Sequence, residues 1–173
     1  MIIEKYGVTL RRLSHDRIEM VRVWRNDPSI SQFMEFRDYI TPEMQEKWFE
    51  KINNEQNYFF VVEVENEPIG VVNMKNINWE QGEGESGIYI YHSGFPVSYA
   101  GQRSMFAMCD YFFEERNFTR VAAHILEDNV RSIRLHEKIG YKMTSGQENV
   151  RNKCYMLSRE DYMRNRDREI QKL

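Results

Sequence analysis

The stretch from Glu85 to Arg116 limits what this chain can fold into more than any other part of it. An apolar and aromatic segment with strand character, Gly87-Ile88-Tyr89-Ile90-Tyr91, leads through a loop containing Gly94, Pro96 and Gly101 into an apolar-periodic run from Ser104 to Arg116. The pattern predicts strand, loop, helix. Met105, Met108, Cys109 and Phe112 recur at helical spacing, so one face of the helix is apolar and needs a sheet to lie against. A helix entered from such a loop directs backbone N–H groups, unpaired within the helix, out of the positive end of its dipole. That end is a place for a phosphate.

The chain on either side supplies the other layers. Val8 to Leu13 alternates as a strand, and Ser14 or Asp16 can cap a helix that carries Ile18, Val21 and Trp24 until Asp27-Pro28 breaks it. Thr41-Pro42-Glu43 is a helix start, with Met44, Trp48 and Ile52 four apart behind it. Tyr58 to Val64 is β-branched or aromatic on both faces and reads as an interior strand. Glu65 to Pro68 turns the chain into a return strand, Ile69 to Ile77, and Gln81 to Gly84 turns it again. Beyond Arg116 the pattern gives a strand at Val121 to Leu126, a helix at Val130 to Ile139 stopped by Gly140, and closing strands at Tyr141 to Ser145 and Lys153 to Ser158. The fold class is α+β: a mixed, mostly antiparallel sheet with helices on both faces. One domain is expected over residues 1–158, followed by a charged tail, residues 159–173, read as a solvated helix.

Bulk properties exclude several functions. A net charge of −3 gives no reason to expect a nucleic-acid or anionic-membrane partner, so a phosphate site must be local. Cys109 and Cys154 have neither metal-ligand spacing nor a disulfide framework, and no metal is expected. No segment approaches the roughly 20 apolar residues of a membrane span. A cytoplasmic protein is the expectation, with a homodimer left open.

Asn129, Ser132, Leu135, Gly140 and Tyr141 stand in EDNVRSIRLHEKIGYK, just after a strand. Here the chain resembles the GNAT superfamily of acyl-CoA-dependent N-acetyltransferases, over residues 7 to 158. Trp24-Arg25-Asn26, Asp27-Pro28 and Ile30-Ser31-Gln32-Phe33-Met34 resemble the amino-terminal region of members acting on nucleotide-linked amino sugars, especially the UDP-4-amino-sugar enzymes of the pseudaminic-acid pathway type. GQRSMFAMCDYFFE aligns without gaps on that group's Gly-Gln start and helix.

The resemblance implies a splayed parallel strand pair, acetyl-CoA as co-substrate and a small-molecule primary amine, that of a nucleotide sugar, as acceptor. Amides from Tyr99, Ala100, Gly101, Gln102, Arg103 and Ser104 would hold the pyrophosphate, with Arg103 either adding charge or lying solvated on the surface. Ile88, Tyr89, Ile90 and Tyr91 would pair with the pantetheine arm and polarise the thioester carbonyl. Asn129 and Ser132 would meet the arm from the neighbouring strand; Asn129 could also cap its helix, in place of that contact or together with it. Glu85 occupies the position of the base that frees the amine, or else is a solvated carboxylate beside a turn. His136 stands where many members carry a tyrosine, as the acid for the leaving thiolate or as a packing residue. Tyr99 replaces the first glycine of the usual phosphate loop and Pro96 its Gln or Arg. On the acceptor side, Arg25 and Asn26 could reach a diphosphate or sugar hydroxyls, and Met34 and Phe36 could line the pocket. Arg25 could instead pair with Asp27 or Asp38.

Two readings compete. Glu35, Asp38, Glu83 and Glu85 would suit a polyamine, and protein N-termini are acetylated by enzymes of the same general pattern. The altered loop and the missing tyrosine would suit a CoA-binding module without catalysis.

Overall fold

The computed structural model describes residues 1–91 and 99–172; Gly94 and Pro96 of the expected loop lie outside them. Among the described residues one eight-stranded sheet has the order β1-β2-β3-β4-β5-β6-β8-β7. Its strands are β1 (Ile2–Lys5), β2 (Val8–Arg12), β3 (Tyr58–Val64), β4 (Glu67–Asn78), β5 (Glu83–Ile90), β6 (Arg120–Leu126), β7 (Lys142–Met143) and β8 (Asn152–Ser158). Every pairing is antiparallel except β5 with β6. The expected mixed sheet is present, with its one parallel pair at the centre.

Helices cover both faces because the strands are apolar on both. Phe60 and Val62 of β3 join the larger core with α4 (Ala100–Asp110), α5 (Val130–Ile139) and α6 (Arg159–Ile170). Val61, with Phe59 beside it, joins the smaller core beneath α1 (Ile18–Asn26) and α3 (Pro42–Ile52). Alternation along a strand sends successive side chains to opposite faces, so β5 divides the same way. Ile88 and Ile90 pack toward α4, and Tyr89 and Tyr91 toward α1.

Local chemistry sets most boundaries. Thr41 caps α3 by accepting from the Met44 amide at 3.2 Å, with Pro42 at the first helical position. Asp27 caps a short helix, α2 (Pro28–Ser31), by accepting from the Ser29 amide. Gly140 ends α5 at φ 118°, a value that a side chain would strain.

Three elements differ from expectation. β1 precedes the expected first strand, joined to β2 by Tyr6 and Gly7, both at positive φ. The central helix begins at Ala100 rather than Ser104, so Gly101 is its second residue and not part of a loop. The tail forms the expected helix, α6, but is not solvated: Tyr162 is fully buried and donates to Phe106 O at 3.0 Å and to Asp110 at 2.6 Å.

Candidate active site

Strands β5 and β6 pair at Glu83↔Arg120, Gly84↔Val121 and Glu85↔Ala122, and there the pairing stops. Both strands continue, β5 to Ile90 and β6 to Leu126, so they diverge and leave a wedge in the middle of the sheet. Tyr91 donates to Ile69 O on β4 at 2.8 Å, and residues of one strand alternate in the neighbour they address. The main-chain groups of Ile88 and Ile90 therefore face the wedge. At its apex the buried Ser86 hydroxyl donates to Ala122 O at 3.3 Å and lies 2.6 Å from the Tyr141 hydroxyl.

Helix α4 stands at the open end. Its first ladder bond runs from the Arg103 amide to Tyr99 O at 2.9 Å, so the amides of Ala100, Gly101 and Gln102 come before the ladder. Tyr99 adds no side-chain cap. Of the six amides expected for a phosphate, that of Arg103 is taken up by the ladder, and that of Tyr99 precedes it together with those of Ala100, Gly101 and Gln102. Ser104 is bound within the helix, its hydroxyl donating to Ala100 O at 2.6 Å. Arg103 lies against the first hairpin, where a Cβ on Gly7 would stand 3.4 Å from its Nη1. A Cβ on Gly101 would meet Leu135, Ile90 and Ile88 at 3.6 to 3.8 Å, ordinary contact distances, so packing against the described residues does not require a glycine there. An outside group approaching the helix start would.

Across the wedge, Asn129 caps α5 by accepting from the Ser132 amide at 3.2 Å, the plainer of its two readings. His136 is buried and its Nδ1 lies 2.8 Å from Ser132 O. A carbonyl only accepts, so the proton is on Nδ1 and Nε2 carries a lone pair with no partner among the described residues. Burial pushes the imidazole down to about 4, against which the Ser132 carbonyl acts weakly. His136 is therefore neutral at pH 7 with its one proton already engaged. In this arrangement the ring offers an acceptor, Nε2, rather than a free proton.

On the face beneath α1, Glu85 is one of a cluster. Its Oε1 lies 3.0 Å from Lys75 Nζ and 3.2 Å from His124 Nδ1, and its Oε2 accepts from Asn76 at 3.3 Å. Burial raises the carboxyl's pKa, but the hydrogen bond and charge of Lys75 and those of His124 outweigh it and hold the group below the ordinary glutamate value. It is not the solvated carboxylate of the plainer reading. Gly87, two residues on, leaves the space above β5 open to Asn73, whose buried Oδ1 has no partner among the described residues. Tyr89 follows on the same face with a buried hydroxyl in the same condition.

The amino-terminal candidates divide. Arg25, at the end of α1 beside Tyr89, makes no hydrogen bond or ion pair among the described residues; burial lowers its pKa and Tyr89 opposes the shift. The anticipated pairing with Asp27 or Asp38 is absent. Asn26 is engaged within the chain, where its side chain donates to Ile40 O and accepts from the Ile40 amide, at 2.9 and 2.8 Å. That clamp starts a strap, residues 32–40, whose far anchor is Glu35, accepting from Asn152 on β8 at 3.4 Å. The strap carries Met34, half-buried, and Phe36, exposed. Trp79 packs in the core against Phe112 and Phe118.

Sequence reasoning missed Asn73, Lys75, Ser86 and His124. Each acts across strands, and a register between strands far apart in the chain leaves no local signature.

Residues 8–142 match the model of the acetyltransferase (GNAT) domain family. The acetyltransferase PseH of Campylobacter jejuni (strain 81-176) is 28% identical over 127 residues, 73% of this chain and 77% of that protein. The uncharacterized protein MJ1062 of Methanocaldococcus jannaschii is 25% identical over 150 residues, 84% of this chain; the match spans only 30% of that longer protein. Among solved structures, the spermidine N-acetyltransferase of Vibrio cholerae in complex with CoA and spermine superposes with a TM-score of 0.74 at 21% identity, covering 91% of this chain and 98% of the other. At that identity the likeness is one of fold.

Proposed function

The chain belongs to the GNAT family of acetyltransferases, and from that premise we propose that it transfers an acetyl group from acetyl-CoA to the primary amine of a nucleotide-activated amino sugar. The wedge and the helix start fit the co-substrate. Ile88 and Ile90 offer main-chain partners along the opening. The amides of Ala100, Gly101 and Gln102 offer donors for a diphosphate at the positive end of α4. Acetyl-CoA supplies an activated acyl carbon. The protein's part is to hold the arm between β5 and β6, so that the reacting carbonyl lies near the apex at Ser86 and Gly87. Ser132 and Asn129 fix α5 along one wall of the wedge, and His136 Nε2 offers an acceptor there.

The acceptor side supports an anionic or hydroxyl-rich substrate. Arg25 carries this reading: a guanidinium half withdrawn from water, with no carboxylate to meet it, on the face that holds Glu85, Gly87 and Tyr89. Burying a cation without a partner is costly, and a bound diphosphate would repay that cost. Asn73 and Tyr89 add unpartnered polar atoms suited to a sugar. Met34 and Phe36 on the strap would cover it. Of the four carboxylates that would suit a polyamine, Glu83 is paired with Arg120 and Glu85 with Lys75 and His124, whereas Glu35 accepts only from the uncharged Asn152 amide and Asp38 has no ion pair among the described residues. Glu85 takes part in freeing the amine as a permanent anion.

The test is release of CoA thiol, with products identified by mass spectrometry, from UDP-linked amino sugars, spermidine and peptides. Turnover confined to the UDP-amino sugars is expected. Turnover with spermidine or peptides alone would replace this acceptor with another, and acetyl-CoA binding without turnover on any amine would leave a binding module.

A further inference from the structure

The strand pair holds a second titratable group that acetyl transfer can use. His124 lies on β6 two residues past Ala122, the last residue to pair with β5, so it is beyond the apex of the wedge and on the same face as Glu85. Its Nδ1 is 3.2 Å from Glu85 Oε1. An ionised carboxylate only accepts, so this contact puts the neutral ring's proton on Nδ1 and leaves the lone pair on Nε2. The side chain is 41% exposed against 19% for Glu85, and so is the more open of the two to water. The groups facing the ring are Glu85 from β5, Lys75 from β4 behind that carboxylate, and Cys154, its register partner on β8. Among the described residues Glu85 is thus the only carboxylate bonded to the ring, and Lys75 keeps it ionised.

We infer that His124 is the proton acceptor of the reaction, a catalytic residue, and that Glu85 is its positioning anion rather than the base itself. The inference rests on the acetyl-transfer reading above. A carboxylate held below the ordinary range by Lys75 is a poor acceptor for an ammonium proton, whereas the His124 Nε2 is a nitrogen lone pair on the more exposed of the two side chains. The balance is direct. The acceptor's ammonium gives one proton to Nε2, forming an imidazolium opposite Glu85. The freed amine forms the C–N bond as the C–S bond breaks, and the nitrogen's second proton goes to the departing thiolate sulfur. His124 then releases its proton to water through its exposed side, so one proton appears in solution per acetyl transferred.

The experiment is the pH dependence of kcat/KM for wild type, His124→Gln, His124→Ala and Glu85→Gln, with acetyl-CoA affinity measured by calorimetry on each. Wild type should show an ascending limb. His124→Gln should lose the limb and about 100-fold in rate at neutral pH while binding acetyl-CoA as before. Added imidazole should rescue His124→Ala. Glu85→Gln should keep the limb but move it to lower pH, because losing the neighbouring anion disfavours the imidazolium. A wild-type profile in His124→Gln, or abolition of the limb by Glu85→Gln alone, would overturn the assignment and leave acetyl transfer standing. Absence of turnover and of acetyl-CoA binding in wild type would overturn both.

Discussion

Two carboxylates of this protein are surrounded by cations and hydroxyls, and they differ in what is left unfilled. Asp110, at the end of α4, is 3% exposed and contacts Lys5, Tyr6, Tyr162 and Arg166. Both its oxygens are engaged, and the groups around it come from β1, the first hairpin and α6. Glu85 is only partly enclosed, and one of its partners, His124, keeps a second ring nitrogen and a path to solvent. The first cluster is saturated and fastens the two ends of the chain to the central helix. The second is unsaturated and sits where the sheet opens. A buried charge whose partners are all used up is scaffold, whereas one whose partner retains a vacant valence is placed to do chemistry.

The contrast breaks most visibly at Asp110. Asp110→Asn removes the buried one of the two carboxylates that Lys5 and Arg166 share, leaving them Glu114, and removing one partner from a buried cluster costs about 3 to 5 kcal/mol. Urea unfolding should show that loss, while His124→Gln, at a half-exposed position, should stay within about 0.5 kcal/mol of wild type. A loss below about 1 kcal/mol at Asp110 would erase the distinction. The sign with pH follows from the same contacts. Burial raises the Asp110 pKa, and bonds from Lys5, Tyr162, Tyr6 and Arg166 more than reverse this. Its contribution is present above the unfolded aspartate value, about 3.9, and is lost as pH falls through the depressed folded value.

His136 gives the next largest effect, over a different window. Its folded pKa of about 4 is below the ordinary 6.5, so the unfolded chain binds the extra proton between those values. Stability should fall as pH drops from about 6.5 to about 4, by roughly 3 kcal/mol in all. His136→Gln should flatten that part of the curve. Equal slopes for variant and wild type would mean that folding leaves the proton affinity of the imidazole unshifted, and would return it to the acid role.

Much of this arrangement was legible in the sequence, for reasons that also mark where legibility ends. Thr41-Pro42, Gly140 and the two-faced strand at Tyr58 to Val64 are local signals, and each has the expected role. The order of elements, once joined to the resemblance, gave the wedge and the helix at its mouth. The tail was misjudged because its charges look solvated in one dimension; Arg166 is set by Asp110, 56 residues away. Asn26 looked like a ligand-facing polar residue because its partner, Ile40, is a backbone group 14 residues on. Lys75 and His124 reach Glu85 only through strand register, one of the two across a parallel pair that no turn connects.

Arg25 sharpens the comparison from the side of the unsaturated site, since it too is a charge lacking its counterpart. Arg25→Met should raise the acceptor KM about tenfold or more with kcat little changed, the ~1.5 to 3 kcal/mol of a hydrogen bond to a charged group. Arg25→Lys should recover little of this if the fork geometry binds a phosphate. Steady-state kinetics on the accepted amine decides it, and an unchanged KM in Arg25→Met would remove the anion from the acceptor.

The smallest effect falls at Gly101, where fold and site make opposite demands. Alanine there would find only ordinary contacts with Leu135, Ile90 and Ile88, and a helical glycine costs about 0.5 to 1 kcal/mol relative to alanine. For the folded chain alone, Gly101→Ala should be neutral or stabilising by up to that amount. For a diphosphate resting on the amides of Ala100, Gly101 and Gln102, the added methyl stands at the point of approach. A thermal melt at or above wild type, together with weaker acetyl-CoA binding by calorimetry, is the expected pair of results. Undiminished affinity would move the phosphate site off the start of α4. A destabilised variant would mean that the glycine serves packing, placing this position with Asp110 in the scaffold.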